Sequence, residues 1–229
     1  MSSASGQVIE EKIVLKAADG GEINGFCARP ASGARGGLIV LQEIFGLTDQ
    51  MKSVVQFYAG KGYDTIFPCF YDRVEPGLAV PFDEIERARA TAAGLDQDKV
   101  IADIGAAAEA VKNPNGVSVI GFCWGGGVSV RAAADVSLKG AVAFYGTRLE
   151  TFLDHQAKCP LLFHFGETDH YSPPEVIEQV RKAFPRAETY IYSAGHAFAN
   201  DVRPSYDPQA AELAIERTLE FLGRVHAAA

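Results

Sequence analysis

The pentapeptide Gly-Phe-Cys-Trp-Gly at residues 121–125 is the feature that most restricts how this chain can fold. It follows a short apolar run at residues 117–120 and precedes a stretch of small residues that ends at Ala134. A nucleophile raised above a strand end needs a strained backbone angle, and small residues two positions before and after it let strand and helix approach closely. The pattern therefore predicts a strand, a sharp turn and a helix, with Cys123 as a nucleophile at the turn.

The composition fits one large hydrophobic core. The chain has 229 residues, of which 48% are hydrophobic, and we predict a single domain over residues 1–229. The net charge of -8 is spread over many acidic clusters, without a basic stripe. This pattern argues against a nucleic-acid or anionic-membrane partner. We expect a small-molecule substrate and a monomer or small homo-oligomer.

The cysteine pattern and the N-terminal residues indicate the compartment. Residues 1–6 contain neither a basic head nor an apolar stretch, and no later segment reaches the ~18 apolar residues of a membrane span. We therefore expect a cytoplasmic protein. The four cysteines include no C-x-x-C pair, so they predict neither a zinc site nor a disulfide framework. Three of them are interpreted as small core residues: Cys27, Cys69 and Cys159. No metal or organic cofactor is expected.

Apolar strand-like runs alternate with helical patterns, which predicts an α/β fold with a mainly parallel sheet and helices on both faces. The predicted strands cover residues 13–15, 23–27, 38–41, 65–67, 117–120, 141–144, 161–165 and 189–192, and the first two are predicted to form a hairpin around residues 19–21. Helical patterns cover residues 54–58 and 82–111, the second being interrupted near Gly94. Two late helices are predicted to begin with a cap followed by proline, at Ser172 and at Asp207.

A cysteine nucleophile needs a base, and in such a fold the acid follows the nucleophile in sequence and the histidine comes last. Asp169 follows the predicted strand at 161–165, and His196 follows the strand at 189–192. Both lie at carboxyl ends of strands, where an open α/β sheet builds its site. The imidazole would take the thiol proton, and the carboxylate would fix its tautomer and stabilise the imidazolium. The positive end of the helix that starts at Trp124 favours the thiolate.

Two neighbouring residues compete for these roles. His170 is the alternative base, and Glu167 is the alternative orienting acid. We prefer Asp169 because it follows the strand at the expected loop position. Among the remaining histidines, His164 is interpreted as a hydrogen-bonded core residue. His155 and His226 are interpreted as surface residues.

Six segments occur in order along the chain: QEIFG at 42–46, GFCWGG at 121–126, FYG at 144–146, GETD at 166–169, GHAFA at 195–199 and ERT at 216–218. Together they resemble the dienelactone hydrolase (carboxymethylenebutenolidase) family, and the similarity runs from about residue 23 to residue 222. The resemblance implies the α/β-hydrolase fold and a Cys-His-Asp triad. It also implies hydrolysis of the enol-lactone ring of dienelactone to maleylacetate.

The resemblance gives a role to Glu43. In the family the glutamate of this motif keeps the resting thiol protonated and swings away when substrate binds. A negative charge near the nucleophile disfavours the thiolate, in agreement with that role. The N–H groups of Ile44 and Trp124 are predicted to form the oxyanion hole. This fold draws one donor from the loop after that early strand and one from the residue after the nucleophile.

Substrate recognition departs from the family pattern. Family members bind a substrate carboxylate with two arginines, and Arg73 matches the first. The second position, four residues after the histidine, is Asn200, which supplies neither charge nor a guanidinium fork. Arg203 either reaches the same pocket from another backbone position or lies at the surface. Three aromatic residues near strand ends are candidates for pocket walls or for the core: Phe45, Tyr145 and Phe198.

The sequence thus predicts a cysteine-dependent hydrolase that opens a small anionic enol-lactone through a thioester on Cys123. One alternative is a cysteine-dependent esterase or thioesterase of other small acyl substrates, which needs no cation in its pocket. A second alternative is a ligand-binding α/β-hydrolase homologue without hydrolytic activity. The presence of all three triad residue types argues against the second alternative.

Overall fold

The computed structural model describes residues 8–227, and the chain divides after Ser118 into two compact units. The fold is α/β, with eight strands in a mostly parallel sheet and six α-helices in the part described. The predicted fold class is confirmed. The single domain over residues 1–229 stays a prediction. Residues 1–6, which entered the expectation of a cytoplasmic location, lie outside the described residues. Within residues 8–227, no helix is long and apolar enough to cross a membrane.

The first unit contains four strands in the hydrogen-bonded order β1-β2-β4-β3. The strands are Val8–Lys16 (β1), Glu22–Pro30 (β2), Gly37–Leu41 (β3) and Asp64–Pro68 (β4). The helices are Asp49–Gly60 (α1), Ile85–Ala93 (α2) and Gln97–Ala110 (α3). β1 and β2 form the predicted hairpin, β2 pairs with β4 in antiparallel fashion, and β3 pairs with β4 in parallel. Every residue of β3 is buried, as its continuous apolar sequence predicts.

Local sequence explains the helix boundaries of the first unit. Thr48 begins α1, because its side-chain oxygen accepts a hydrogen bond from the N–H of Met51 at 3.2 Å. The helical pattern over residues 82–111 is two helices that are broken at Gly94, close to where the interruption was predicted. Asp96 then begins α3, its carboxylate accepting from two N–H groups of the first turn.

The second unit carries the elbow and four strands in the order β5-β6-β7-β8. The strands are Val117–Phe122 (β5, of which residues 119–122 lie in this unit), Gly140–Phe144 (β6), Leu161–Gly166 (β7) and Glu188–Tyr192 (β8). The helices are Trp124–Asp135 (α4), Pro174–Ala183 (α5) and Pro208–Val225 (α6). The pairs β6–β7 and β7–β8 are parallel, so the loops after β7 and β8 leave from the same edge of the sheet.

The two predicted helix caps have different outcomes. Asp207 begins α6 as predicted, with its carboxylate accepting from the N–H of Ala210 at 2.9 Å. The capping box at Ser172 is wrong, because α5 begins after Pro173 without a side-chain cap. The hydroxyl of Ser172 instead donates to the carbonyl of Gly146 at 2.7 Å. The serine therefore joins two loops of the second unit.

His164 is a hydrogen-bonded core residue, as predicted, and is fully buried in β7. Burial lowers its pKa to about 3, and the positive charge of Arg217 acts in the same direction. His226 was predicted at the surface and is instead buried. Its N–H bonds to the carbonyl of Leu222 and closes the last turn of α6, which keeps this residue next to the helix.

Acid is expected to destabilise the protein in part through His164. Between pH 6.5 and pH 3 the unfolded state binds a proton on this imidazole and the folded state does not, because the folded pKa is about 3. The free energy of unfolding therefore falls as the pH falls, by about 1.4 kcal/mol per unit once the pH is below 6.5. Urea titrations at pH 7 and pH 5 test this. Between these pH values the free energy of unfolding should fall by about 2 kcal/mol more in the native protein than in His164→Gln. Equal losses would contradict the assigned pKa.

Candidate active site

Cys123 occupies the turn between β5 and α4 with φ 53° and ψ -114°, a conformation that L-residues rarely adopt. Such strain costs about 1–3 kcal/mol and persists where the surroundings enforce it. The glycine at position 121 is required here, because a Cβ would lie 1.9 Å from the carbonyl oxygen of Gly125. The strand, turn and helix thus have the predicted geometry. The role of Cys123 as the nucleophile stays a prediction.

Backbone hydrogen bonds hold the elbow in place. The N–H of Cys123 donates to the carbonyl of Phe144, at the end of β6, at 3.0 Å. Its carbonyl accepts from the N–H groups of Gly126 and Thr147, both at 3.0 Å. The cysteine backbone is therefore tied both to α4 and to the segment after β6, which fixes the direction in which the side chain leaves the backbone.

The structure brings Cys123, His196 and Asp169 together in one hydrogen-bonded chain. His196 Nε2 lies 3.2 Å from Cys123 Sγ, and His196 Nδ1 lies 2.8 Å from Asp169 Oδ2. The other carboxylate oxygen of Asp169 accepts the N–H of Tyr171 at 2.8 Å. With Nδ1 engaged by the carboxylate, Nε2 faces the sulfur, and the imidazole is oriented to exchange a proton with it.

Electrostatics around His196 favour its charged form. Burial lowers the pKa of this imidazole, but hydrogen bonds and charge interactions with Asp169 and Cys123 outweigh burial, and the net pKa is raised. A raised pKa means that the imidazolium is stabilised beside the sulfur and the carboxylate. His196 is therefore suited to hold the proton that the thiol loses.

The two alternative residues lie differently. The carboxylate of Asp169 is fully buried against His196, whereas Glu167 and His170 are exposed. An exposed carboxylate is screened by water and orients an imidazole poorly. These positions favour Asp169 as the orienting acid and His196 as the base.

We expect Asp169→Asn to lower kcat by about 10⁴-fold, because an amide holds the imidazole in the wrong tautomer and does not stabilise its positive charge. Glu167→Gln is the matched control and should change kcat little. Both variants are measured with one activated ester at one pH. If the larger loss occurred at Glu167, the role of orienting acid would pass to that residue.

Tyr171 is a neighbour of the triad that sequence reasoning missed. Its ring centroid lies 4.7 Å from that of His196, and 46% of the residue is exposed. No motif marks this residue; its only signal in the sequence is its place directly after Asp169-His170. Because its N–H also bonds Asp169, Tyr171 supports both the acid and the base.

The predicted aromatic residues of the second unit are buried near the triad. The ring of Tyr145 meets that of His196 edge to face, with 5.3 Å between centroids, and Phe198 packs on Tyr145 at 5.4 Å. Tyr145 is 1% exposed and Phe198 is fully buried, so both support the base from the core. Their predicted contacts with substrate stay predictions.

The loop after β8 contains the position that departs from the family pattern. Asn200 is buried, and its side-chain oxygen accepts the N–H of Val202 at 3.2 Å. Arg203 is half-buried, and its backbone N–H donates to the carbonyl of Asn200 at 3.0 Å. Asn200 thus shapes the loop between His196 and Arg203. Contact of either residue with substrate stays a prediction.

The motif at residues 43–45 lies in the loop after β3, in the first unit. Glu43 is 4% exposed. The carbonyl of Ile44 accepts the hydroxyl of Tyr71, and the ring of Phe45 lies 4.7 Å from that of Phe82. The predicted roles of Glu43 as a restraint on the thiol, of Ile44 as an oxyanion donor and of Phe45 as a pocket wall stay predictions.

Comparison with known proteins places this chain in a family. A model of the dienelactone hydrolase family matches residues 23–226. The chain belongs to the dienelactone hydrolase family. The carboxymethylenebutenolidase of Pseudomonas sp. (strain P51) is 34% identical over 230 residues, which cover 95% of this chain and 97% of that protein. The carboxymethylenebutenolidase of Pseudomonas putida is 32% identical over 228 residues, covering 94% and 97%.

Solved structures agree with this membership. A protein from Klebsiella pneumoniae subsp. pneumoniae MGH 78578, named as a candidate dienelactone hydrolase, has a TM-score of 0.85 and 27% identity, covering 95% of this chain and 99% of that one. The predicted resemblance is confirmed. As a member of the dienelactone hydrolase family, the protein is a hydrolase of ester or lactone bonds. Within residues 8–227, no group of three or more His, Cys, Asp or Glu side chains is arranged to hold a metal ion.

Arg73, the arginine that matches the family pattern, is held in an ion pair within the first unit. Its Nε and Nη2 lie 2.7 Å and 2.8 Å from the two carboxylate oxygens of Asp103, and Nη2 lies 3.0 Å from Asp19 Oδ1. The side chain of Asp103 is fully buried. Burial raises the pKa of Asp103, and the hydrogen bonds and charge of Arg73 oppose that rise. This geometry gives Arg73 a structural role. Its predicted contact with a substrate carboxylate stays untested.

We expect Arg73→Ala to lower the free energy of unfolding by about 3–5 kcal/mol, because it leaves the buried Asp103 carboxylate without its cation. The double variant Arg73→Ala/Asp103→Ala removes both charges and should regain part of that loss. Urea unfolding measures both variants. A single variant of native stability, with a raised KM for an anionic lactone alone, would instead show that Arg73 serves the substrate.

Proposed function

We propose that the protein hydrolyses a small enol-lactone, or an ester with a comparably good leaving group, through a thioester on Cys123. The observation that carries this proposal is the chain from Cys123 Sγ through His196 to the buried Asp169, at 3.2 Å and 2.8 Å. The relatives named carboxymethylenebutenolidase support a lactone as the substrate class.

The reaction starts with proton transfer from Cys123 Sγ to His196 Nε2, while Asp169 stabilises the imidazolium. The thiolate attacks the lactone carbonyl, and collapse of the tetrahedral intermediate breaks the ring C–O bond. The leaving enolate takes the proton from His196 and gives the ketone. His196 then removes a proton from water, which attacks the thioester, and the departing thiolate recovers that proton. The balance is one lactone and one water to one keto acid.

Two further roles come from the family motif and from the position of Trp124. The N–H of Trp124, the first residue of α4, and the N–H of Ile44 are the proposed donors to the oxyanion. Glu43 is proposed to restrain the resting thiol. These roles rest on the resemblance of residues 42–46 to the family.

A cysteine nucleophile also limits the leaving group. A thioester forms readily when the departing group is at least as stable as the thiolate. An enolate or a phenolate meets this condition, and an amine does not. The site is therefore suited to lactones and activated esters rather than amides.

A preference for an anionic substrate needs a cation that is available to the substrate carboxylate. Arg73 is engaged by Asp103, so we propose Arg203 for the substrate carboxylate. This arginine lies in the loop that follows His196 and is half-buried. A charge-assisted pair of this kind contributes about 1.5–3 kcal/mol to binding.

A spectrophotometric comparison of dienelactone isomers with neutral aryl esters tests the proposed function. The lactones should have the higher kcat/KM. Arg203→Ala should raise KM for the lactone about tenfold or more and leave KM for the neutral ester unchanged, and Arg203→Gln is the matched neutral control. Equal kcat/KM values, with equal effects of Arg203→Ala on both substrates, would favour the general esterase. No turnover of either class would favour the ligand-binding alternative.

We keep a cytoplasmic location and a monomer or small homo-oligomer as proposals. The acidic net charge of -8 supports a chain that stays dispersed at neutral pH. Size-exclusion chromatography coupled to light scattering measures the oligomeric state directly.

A further inference from the structure

A chain of hydrogen-bonded polar side chains joins β7, β8 and α6. His164, in β7, has Nδ1 2.8 Å from the hydroxyl of Tyr192 in β8 and Nε2 2.9 Å from the hydroxyl of Thr218 in α6. Thr218 also bonds the carbonyl of Ala214 at 2.8 Å. Arg217 Nη1 lies 3.2 Å from the Tyr192 hydroxyl. The proposed reaction uses none of these groups.

The direction of every hydrogen bond in this chain follows from counting protons. The carbonyl of Ala214 only accepts, so the single hydroxyl proton of Thr218 goes to it, and Thr218 must accept from His164 Nε2–H. A neutral imidazole has one N–H, so His164 Nδ1 is an acceptor and the Tyr192 hydroxyl donates to it. Arg217 then donates to the Tyr192 oxygen. The lowered pKa of His164 agrees with this neutral form.

Two strands of this hydrogen-bond chain, β7 and β8, lead into the loops that carry the acid and the base. Asp169 is in the loop that leaves β7, and His196 is in the loop that leaves β8, whose last residue is Tyr192. The carbonyl of Tyr192 also accepts the N–H groups of Glu167 at 2.8 Å and of Ala194 at 2.7 Å. Tyr192 therefore ties together the starts of the two loops that carry Asp169 and His196.

We propose that Tyr192 is a positioning residue for the Asp169–His196 pair. Its hydroxyl bond to His164 fixes β8 against β7, and this sets the distance between the carboxylate and the imidazole. Tyr192 contacts no reacting atom and acts through His164 and the strand ends. The catalytic consequence rests on the proposed function, whereas the effect on the Asp169–His196 hydrogen bond does not.

Tyr192→Phe is the sharpest test, because it keeps the ring that packs on Phe198 at 5.1 Å and removes only the hydroxyl. Tyr190→Phe is the matched control on the same strand. The Tyr190 hydroxyl makes a long 3.5 Å contact with Glu188 and takes no part in the hydrogen-bond chain through His164. We expect Tyr192→Phe to lower kcat about tenfold or more with little change in KM, as a misplaced catalytic group does. Tyr190→Phe should match the native enzyme.

Nuclear magnetic resonance provides a readout that needs no substrate. In ¹⁵N-histidine-labelled native protein, His164 should be neutral and protonated at Nε2, and the His196 Nδ1 proton should be protected by its bond to Asp169. In Tyr192→Phe that protection should fall, and the pH dependence of Cys123 alkylation should shift. Protonation of His164 at Nδ1 in the native protein would contradict the assigned hydrogen-bond directions and overturn the proposal.

A second pair of variants keeps the proposal testable if Tyr192→Phe folds poorly. Thr218→Val removes the acceptor at the other end of the chain and should reproduce the shift in the alkylation profile, whereas Thr218→Ser should restore the native profile. Lower stability with native alkylation and native His196 protection would show a purely structural role and overturn the proposal. A Cys123→Ala enzyme that turns over normally would instead remove the proposed function and leave the resonance result standing.

Discussion

Replacement of Cys123 by alanine is expected to lower kcat by about five to six orders of magnitude and to leave the fold intact. The thioester requires sulfur, and loss of a triad nucleophile costs this much in an enzyme that uses such a triad. Alanine fits the same backbone, because its side chain is smaller than that of cysteine. The strain at φ 53° is already present in the native protein. Initial rates with a lactone and an aryl ester measure the loss of kcat, and circular dichroism checks that the fold is intact.

A second cysteine provides the control for this experiment. Cys159 is half-buried outside the elbow, and burial raises the pKa of its thiol to about 11. Cys159→Ala should keep native kcat. Activity of Cys123→Ala close to that of Cys159→Ala would show that the reaction does not depend on the elbow sulfur.

Replacement of His196 by alanine is expected to abolish turnover nearly as completely as loss of the cysteine. Its Nε2 is the group placed to take the thiol proton, at 3.2 Å from Sγ, and triad residues act as a unit whose single losses are comparable. His170→Ala changes an exposed histidine in the loop of Asp169 and should keep most of the activity. Rates across pH 6–9 for both variants check this. A reversed order of losses would assign the base to His170.

The fold could be predicted wherever local sequence determines local structure. The apolar run of β3, the hairpin of β1 and β2 and the break at Gly94 follow from pattern and turn chemistry. The cap at Ser172 was wrong because the same residue types also serve tertiary contacts. This hydroxyl bonds the carbonyl of Gly146, 26 residues away in sequence, and no local pattern reveals that partner.

The candidate site likewise contains features that the sequence reveals and contacts that it does not. The meeting of Cys123, Asp169 and His196 could be predicted because the elbow and the strand ends restrict where each can lie. The partners of Arg73 could not, because Asp19 and Asp103 are 54 and 30 residues away and a sequence shows charges without their pairing. Tyr171 and the chain through His164 have no motif. Side-chain packing sets their contacts, and only the folded chain shows it.

Covalent catalysis at Cys123 is tested most directly by the mass of the Cys123 peptide after acid quench during steady turnover of a dienelactone or an aryl ester. The expected mass increment equals the ring-opened lactone or the acyl group, is carried by Cys123 and is released by hydroxylamine, as a thioester requires. An acyl group on another side chain, or turnover that leaves every residue unmodified, would contradict covalent catalysis at Cys123.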